Sequence, residues 1–381
     1  MTLGGLLCTL ARHHFQVQAR YLSRLAYLAA VAGLNSFCRP IERAANRRLI
    51  AASDFPQAPI FILGHWRSGT THLHNLLNLD LRFASPTLYQ ATFPHHFVYS
   101  QPHGVKVLAR LAPATRPMDA MAWAPDSPHE DEFALAALSG VSPYLGVMFP
   151  NHPNPQLSAL DFSRLPEPRQ REWERALEYF IKKVAAKNDR ADRVVLKSPP
   201  HTGRIPSLLR LFPEAKFIHM VRDPFAVYLS SVHLWQKAMA HSHLQTPSRR
   251  TIEKLIFFCY QELYRVFERD RGLIPPGSLV QVRFEELENN PLRCLRRVYR
   301  QLDLGGFAQA RPRLEAYLAG LSHYQRNRFY LDPATQQRVA QRWADAFETY
   351  GYPIRPRPGA DYLQPPESHQ LGGIKQTVGA G

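Results

Sequence analysis

One stretch constrains the fold of this chain more than any other: a strand, a glycine-punctuated loop and a helix between Pro59 and Leu77. The stretch reads PIFILGHWRSGTTHLHNLL, and its apolar run Ile60–Leu63 is typical of a strand buried on both faces. Gly64 ends that run, and the residues after Gly69 have leucines at helical spacing. A loop between a strand and a helix N-terminus directs backbone N–H groups toward a phosphate. The stretch therefore predicts a phosphate-binding loop.

The loop lacks the lysine of the Walker pattern GxxxxGK[ST]. Gly64, Gly69 and Thr71 match the pattern, but Thr70 stands at the lysine position. Because that lysine binds the β- and γ-phosphates of a triphosphate, its absence argues against ordinary ATP or GTP chemistry. Arg67 supplies a cation within the loop instead. The alternative is a tight turn that merely joins the strand to the helix.

Further strands and helices alternate along the chain. The apolar runs 194–196, 216–221 and 279–284 are each followed by a helical pattern. Such alternation predicts a parallel, doubly wound sheet, in which ligands lie at the carboxyl ends of the strands. Lys197 and Arg222 directly follow two of these runs. We therefore expect a P-loop-like, three-layer α/β/α fold whose polar loops meet at one edge of a central parallel sheet.

The chain divides into three parts of different composition. Residues 1–50 read as an N-terminal helical arm, whose longest apolar run, 25–34, is about half the length of a bilayer span. Residues 51–353 form the main domain, and its insertion at about 81–168 is rich in proline, histidine and aromatic residues. We expect this insertion to line an acceptor pocket. Residues 354–381 have the composition of a flexible tail.

Charge and cysteine usage bound the partners and the compartment. The net charge of +16 implies an anionic partner, which could be a nucleotide, a polyanionic substrate, nucleic acid or a lipid surface. Nucleic acid is not expected, because no basic–aromatic motif for it occurs. Scattered cysteines and the lack of any Asn-x-Ser/Thr site favour a cytoplasmic, reducing compartment. For residues 1–40, packing on the domain or on a partner subunit and peripheral contact with a membrane surface are alternatives.

One dense acidic stretch, DSPHEDE from Asp126 to Glu132, interrupts this basic chain. It precedes a helical pattern at 133–138. One interpretation is that Asp126 or Ser127 caps that helix, with the acids stabilised in its first turn. The other is that Glu130 or Glu132 serves as a catalytic base.

The predicted strand ends carry cations where a P-loop NTPase carries an acid. Such NTPases organise Mg²⁺ with an acidic residue at the end of an apolar strand. Here Lys197 and Arg222 occupy those ends, and Asp223 lies directly before Pro224. A site of this kind suits an anion that is polarised by side chains and backbone donors, without a metal ion.

Together these motifs resemble the sulfotransferase family that uses 3′-phosphoadenosine-5′-phosphosulfate (PAPS). The loop Arg67–Thr71 (RSGTT) resembles that family's 5′-phosphosulfate loop, and Arg222 with Ser230 resembles its 3′-phosphate-binding pair. The order of parts agrees over residues 58–350, including LFPEAKFIHMVRDP and RFEELENNP. The pattern is most similar to the broad bacterial-type branch that is also related to tyrosylprotein sulfotransferases.

The resemblance implies how the donor is held. Arg67 and the N–H groups of Ser68–Thr71 would bind the 5′-phosphate, with the two threonine hydroxyls as further donors. The pair at Arg222 and Ser230 would bind the 3′-phosphate. Arg326 and Arg328, in HYQRNRF, resemble the C-terminal loop that closes over the nucleotide.

Sulfuryl transfer requires a cation near the leaving oxygen of the donor and a base for the acceptor proton. Lys197 resembles the family's catalytic lysine in position. Three residues are candidates for the base: Glu130, Glu132 and His201. The histidine that cytosolic sulfotransferases place two residues after the lysine is Pro199 in this sequence, so the choice among the three stays open, with a carboxylate favoured.

The sequence thus predicts a PAPS-dependent sulfotransferase that acts by metal-independent, in-line transfer to a hydroxyl or amine. The acceptor is expected to be a small molecule, a lipid or a carbohydrate, and the aromatic insertion favours one with an apolar part. The alternative is a nucleotide or small-molecule kinase with a degenerate P-loop, which would require ATP and Mg²⁺.

Overall fold

A computed structural model of the chain describes residues 1–111, 124–151, 155–320, 329–354 and 362–363. The strands are Ile60–Gly64 (β1), Phe83–Ala84 (β2), Arg193–Lys197 (β3), Lys216–Val221 (β4), Leu279–Arg283 (β5), Phe329–Tyr330 (β6) and Tyr362–Leu363 (β7). The α-helices are Leu3–Arg12 (α1), Leu22–Ala52 (α2), Thr70–Leu77 (α3), Leu88–Thr92 (α4), Phe97–Leu111 (α5), Glu132–Ser139 (α6), Tyr144–Val147 (α7), Glu167–Ala185 (α8), Ile205–Leu211 (α9), Pro224–Lys237 (α10), Arg249–Asp270 (α11), Phe284–Asn289 (α12), Pro291–Gln301 (α13), Phe307–Gly320 (α14), Pro333–Arg342 (α15) and Ala344–Thr349 (α16). Short 3-10 helices cover Ala19–Tyr21, Pro155–Leu160, Phe162–Arg164, Pro199–Gly203, Met239–Ser242 and Arg271–Leu273.

The central sheet has five parallel strands in the order β2-β3-β1-β4-β5. Strand β1 lies in the middle, where Ile62 is in register with Lys197 of β3 and with Ile218 of β4. The loops that follow β1, β3 and β4 are therefore neighbours at one edge of the sheet. This is the convergence of polar loops that the sequence predicts. A separate pair joins β6 to β7.

Alternate residues of β1 serve the two faces of the sheet. Phe61 and Leu63 belong to a buried cluster with Trp173 of α8, whereas Ile60 and Ile62 belong to another cluster with the leucines of α3 and with residues of α13. All four β1 side chains are fully buried. This pattern confirms a three-layer α/β/α fold, because a strand covered by helices on both faces has no polar side.

The insertion is more regular than its sequence predicts. Strand β2 forms the edge of the sheet with only two residues, and Phe83 pairs in register with Arg193. Four helices, α4 to α7, follow within residues 88–147. Near the end of the main domain, α15 and α16 are separate helices with Trp343 between them.

The N-terminal helical arm, α1 and α2, packs on the insertion. Leu6 and Leu10 of α1 share a buried cluster with Leu145 and Met148 beside α7. Helix α2 is joined to the domain by a fully buried ion pair between Glu42 and Lys183 of α8. Among the described helices, none is long and apolar enough to cross a bilayer.

Candidate active site

The loop after β1 has a backbone that only glycine fits at two positions. Gly64 has φ of 132° and Gly69 has φ of 93°, both in the region that L-residues rarely adopt. A Cβ atom on Gly64 would lie 2.6 Å from Met220 O, and one on Gly69 would lie 2.2 Å from the ring of Phe284. Both positions of the Walker-like pattern therefore require glycine, because β4 and α12 lie close to the loop backbone there.

The rest of the loop leads into an uncapped helix. Ser68 is fully buried, and its N–H and hydroxyl both donate to His65 O, at 3.2 Å and 2.7 Å. Ser68 thus shapes the loop. The sequence predicts that its N–H group binds the donor phosphate, but both donors of Ser68 are engaged within the loop. Helix α3 begins at Thr70, and its N-cap Gly69 makes no side-chain hydrogen bond to it. The first turn at Thr70 and Thr71 therefore suits an anion.

Arg67, Arg222 and Ser230 meet beside this helix N-terminus. Arg67 has a left-handed backbone, with φ of 69°, and its Nε donates to Ser230 Oγ at 2.7 Å. Arg222 Nη1 donates to Arg67 O at 3.1 Å, and its guanidinium lies 4.2 Å from the ring centroid of Phe284. The positive φ of Arg67 is a strained backbone for a residue other than glycine, and such strain is typical of functional sites.

The turn between Arg222 and Ser230 is non-helical at Asp223. Asp223 has φ of −43° and ψ of 120°, and its carboxylate accepts hydrogen bonds from Phe225 N and Ala226 N. Asp223 is therefore the N-cap of α10, and it brings Ser230 back toward the end of β4. A carboxylate engaged in this way is poorly placed for a metal ion.

The acidic stretch does not cap a helix; it binds the end of β3 and the turn after it. Helix α6 begins at Glu132, and its N-cap Asp131 makes no side-chain bond to the helix, so capping by Asp126 or Ser127 is wrong. The contacts are Lys197 Nζ to Glu130 Oε1 (2.5 Å), Ser198 Oγ to Asp131 Oδ1 (2.9 Å), His201 Nε2 to Asp131 Oδ2 (2.7 Å) and Arg204 Nη1 to Glu132 Oε2 (2.5 Å).

Two of the three candidate bases are enclosed by protein. Glu132 forms a bidentate pair with Arg204, and both side chains are fully buried. His201 is also fully buried; its Nε2 is bonded to Asp131, and its ring packs edge-on against Phe61. Neither group can reach an acceptor without a rearrangement of the core, so the geometry argues against both as the base.

Glu130 is the candidate that keeps partial exposure, and it contacts the wall of a pocket through Tyr144. Its side chain retains 16% of its exposure, and its Oε2 accepts a hydrogen bond from the hydroxyl of Tyr144. Trp66 Nε1 donates to the same hydroxyl at 2.8 Å. Burial raises the pKa of Glu130, but the ammonium of Lys197 and the hydrogen bonds from Lys197 and Tyr144 outweigh it, so the pKa lies below its usual value.

A largely apolar pocket adjoins this group, bounded by the loop, α7, α10 and α11. Its cavity volume is about 30 Å³, within a larger space that is partly open to solvent. Its lining residues are His65, Trp66, Pro143, Tyr144, Gly146, Val147, Leu157, Ser231, Leu234, Trp235, Met239, Leu255, Ile256 and Cys259. We call it the acceptor-side pocket. Residues of the insertion, among them Tyr144 and Leu157, contribute part of its wall.

Sequence reasoning missed Tyr144 and Trp66 as site residues. Tyr144 was one aromatic among many in a segment without a period, and Trp66 is simply the neighbour of Arg67. The position of Trp66 next to Arg67 was the one available signal.

Arg326 and Arg328 lie outside the described residues. Within the described residues, no group of three or more His, Cys, Asp and Glu side chains is arranged to hold a metal ion.

The fold and this loop define the class. A family model described as the sulfotransferase family matches residues 59–308, and the chain belongs to that family. The family implies PAPS as the sulfuryl donor, and the enzyme is a transferase of the EC 2.8.2 type. The uncapped turn of α3, with Arg67, Arg222 and Ser230 beside it, fits such a bis-anionic nucleotide.

Particular relatives support this assignment. The chain is 37% identical over 356 residues to omega-hydroxy-beta-dihydromenaquinone-9 sulfotransferase Stf3 of Mycobacterium tuberculosis. The matched region covers 91% of this chain and 88% of the relative. The fold is similar to the crystal structures of sulfotransferase STF9 from Mycobacterium avium (TM-score 0.64, 20% identity, 87% and 86% of the two chains). It is also similar to STF1 from Mycobacterium tuberculosis H37Rv (TM-score 0.63, 18% identity, 90% and 91%).

Proposed function

We propose that this sulfotransferase transfers the sulfuryl group of PAPS to a hydroxyl on a largely apolar acceptor, with Lys197 and Glu130 as the catalytic pair. The observation that carries this proposal is the contact between these two side chains at the end of β3, beside the phosphate loop. A cation for the leaving group and a base for the acceptor are thus present together, next to the acceptor-side pocket.

When bound, PAPS supplies a sulfuryl group attached to a phosphate that can leave. Arg67 and the first-turn N–H groups of α3 would hold the 5′-phosphate, and Arg222 with Ser230 would hold the 3′-phosphate. Lys197 Nζ stabilises the negative charge that builds on the leaving oxygen. A metal ion is not part of the proposal, because these cations and N–H groups already meet the developing charge.

Glu130 takes the proton of the attacking hydroxyl. In the ligand-free pair its pKa is lowered by Lys197, which makes it a weak base. Once Lys197 turns toward the donor, Glu130 loses its cationic partner, while burial still disfavours the carboxylate and raises its pKa. Donor binding would therefore increase the basicity of Glu130. Tyr144, whose own pKa is raised well above its usual value by burial and by Glu130, stays a neutral donor that orients the carboxylate.

The acceptor class follows from the pocket and from the relative. Apolar side chains of the insertion, α10 and α11 dominate the acceptor-side pocket, which suits a lipid-like body better than a sugar. The name of the Stf3 relative describes a hydroxylated menaquinone as its acceptor. We propose an acceptor of the same chemical kind here: a hydroxyl attached to an apolar chain or ring. The kinase alternative is not favoured by the family or by the fold.

Transfer of ³⁵S from PAPS, measured over a panel of hydroxylated quinones, prenols and sugars, tests this function. We expect transfer to an apolar alcohol, and a loss of about 10²–10³-fold on Lys197→Ala. Binding of adenosine 3′,5′-bisphosphate (PAP) should remain in that variant, because the adenosine phosphates are held elsewhere. Transfer only to sugars would overturn the acceptor class, and full activity of Lys197→Ala would overturn its catalytic role.

We further propose that the arm contacts an anionic membrane surface. Residues 1–50 contain seven arginines and one acid, Glu42, which is buried in its ion pair. The outward side of α2 carries Tyr27, Leu34 and Phe37, exposed by 67%, 51% and 70%. Helix α1 adds Leu7, exposed by 56%. Exposed apolar side chains on a segment rich in arginine suit an interfacial position among anionic headgroups.

The position of α7 connects this surface to the acceptor site. Leu145 of α7 and the following Met148 pack on the arm, while Tyr144 and Val147 of the same helix line the acceptor-side pocket. A lipid acceptor would therefore have a short path from the membrane to the pocket.

Cosedimentation with phosphatidylglycerol vesicles tests the contact. The double variant Leu34→Glu/Phe37→Glu should bind about ten-fold more weakly than the wild type. Leu273→Glu, at a residue that is 57% exposed in the main domain, is the control. Equal binding of the wild type and the double variant would exclude this surface.

A further inference from the structure

The acceptor-side pocket contains two buried polar atoms without a partner. His65 and Ser231 both line it, and they are only 3% and 2% exposed. Among the described residues, neither His65 Nε2 nor Ser231 Oγ has a hydrogen-bond partner. Leaving a buried polar group unpaired costs about 1–3 kcal/mol. Two such atoms in one otherwise apolar pocket therefore point to a ligand that pairs with them.

The local structure determines what each atom offers. His65 Nδ1 donates to the backbone oxygen of Trp66 at 2.7 Å. Burial lowers the pKa of His65 to about 4, so at neutral pH the ring is uncharged, and its Nε2 carries a lone pair. The ring also packs edge-on against Tyr260, with centroids 5.1 Å apart. His65 Nε2 is thus a fixed acceptor. Ser231, on α10, can rotate its hydroxyl and donate.

A hydroxyl is the group that can pair with either atom. It can donate its hydrogen to His65 Nε2 or accept from Ser231 Oγ. A ketone or ether could accept from Ser231 but would leave the histidine nitrogen unpaired. A site built to bond a hydroxyl rejects analogues that lack one more strongly than apolar contact alone can do.

We infer that His65 and Ser231 form a hydroxyl-recognition point in the acceptor-side pocket, which selects apolar acceptors that carry a free alcohol or quinol group besides the hydroxyl that Glu130 deprotonates. The inference rests on the proposed function, in which this pocket receives the acceptor. Neither residue is assigned to donor binding, which the proposed function gives to Arg67, Arg222 and Ser230.

The choice of variants separates recognition from folding. Ser231→Ala removes an unpaired buried hydroxyl, so the melting temperature should stay the same or rise. His65→Asn keeps an N–H that can donate to Trp66 O but removes the acceptor at Nε2. Ser207→Ala is the matched control, because that buried serine lies on α9 and accepts a hydrogen bond from Arg210 of its own helix.

Binding of 1-octanol and 2-octanone is the test, measured by calorimetry and by fluorescence of Trp66 and Trp235 in the pocket wall. We expect the wild type to prefer the alcohol by about ten-fold. Ser231→Ala and His65→Asn should each reduce that preference to near unity, with affinity for the ketone unchanged. Ser207→Ala should keep the preference.

Three results would overturn the inference: no binding of the alcohol, equal binding of both probes by the wild type, or an intact preference in Ser231→Ala. Affinity for PAP and transfer from PAPS are measured in parallel on the same proteins. If the wild type neither bound PAP nor transferred sulfate from PAPS, the proposed function would be wrong. If it bound PAP normally but did not prefer the alcohol, only the recognition point would be wrong.

Discussion

Two glutamates of one short acidic stretch, Glu130 and Glu132, illustrate how similar groups acquire different roles. Each pairs with a cation from β3 or the turn after it: Glu130 with Lys197, and Glu132 with Arg204. The second pair is fully buried, and its guanidinium stacks 4.5 Å from the ring centroid of Trp173. The first pair retains partial exposure and contacts Tyr144 at the pocket.

The two carboxylates differ in access and not in residue type. A buried pair with matched geometry has no route to a substrate, and removal of one partner leaves a charge without a counterion. A partly exposed pair beside a pocket wall can exchange its cation for a ligand, as the proposed role of Glu130 requires.

Glu130→Gln should lower the rate of sulfuryl transfer by about 10²–10⁴-fold, because the amide cannot accept the acceptor proton. Affinity for PAP and the melting temperature should change little. Asp126→Asn, at an exposed acid in the same stretch, is the control and should retain full activity. Steady-state transfer of ³⁵S measures both variants. A Glu130→Gln enzyme with normal turnover would remove Glu130 from the mechanism.

Arg204→Met should lower the free energy of unfolding by about 3–5 kcal/mol, since it leaves Glu132 charged and unpaired in the core. The double variant Arg204→Met/Glu132→Leu should recover much of that loss, because apolar replacements of a buried pair are often neutral. Urea denaturation followed by circular dichroism measures both. If the single and double variants were equally stable, Glu132 would not depend on its partner as the structure indicates.

Tyr144→Phe should have the smallest effect. We expect kcat/KM near neutral pH to fall by at most about ten-fold and the pH profile to shift. The hydroxyl of Tyr144 helps to lower the pKa of Glu130, so its removal raises that pKa. Activity that requires the carboxylate is present above the pKa and is lost as the pH falls through it. The acidic limb of kcat/KM should therefore move to higher pH. An unmoved limb would mean that Tyr144 does not act on the base.

Much of the candidate donor site could be predicted from the sequence, because its arrangement depends on local rules. Glycine at positions with positive φ, a cation within the loop and a cation at the end of an apolar strand are visible as adjacent letters. Lys197 and Arg222 could be placed near the loop because carboxyl ends of parallel strands share one edge. The central role of β1 between β3 and β4 followed only from the structure.

The acceptor side could not be predicted in the same way. Tyr144 and Glu130 meet across an insertion whose helices are short and whose sequence has no period. The unpartnered atoms of His65 and Ser231 share one pocket because α10 packs beside the loop, a relation between residues far apart in the chain. Two-residue β2 is likewise too short to have a sequence signal.

By itself, the sequence determined the glycine-bearing loop after β1 and the parallel α/β architecture, because these follow from backbone geometry and strand order. The sulfotransferase family was indicated by the resemblance of its motifs. Only the tertiary structure decided which acid contacts the pocket wall, at Tyr144, and which is enclosed. Burial and pairing arise between residues about 70 positions apart, such as His201 with Asp131 and Arg204 with Glu132. The different surroundings of Glu130 and Glu132 are therefore a property of the packed molecule.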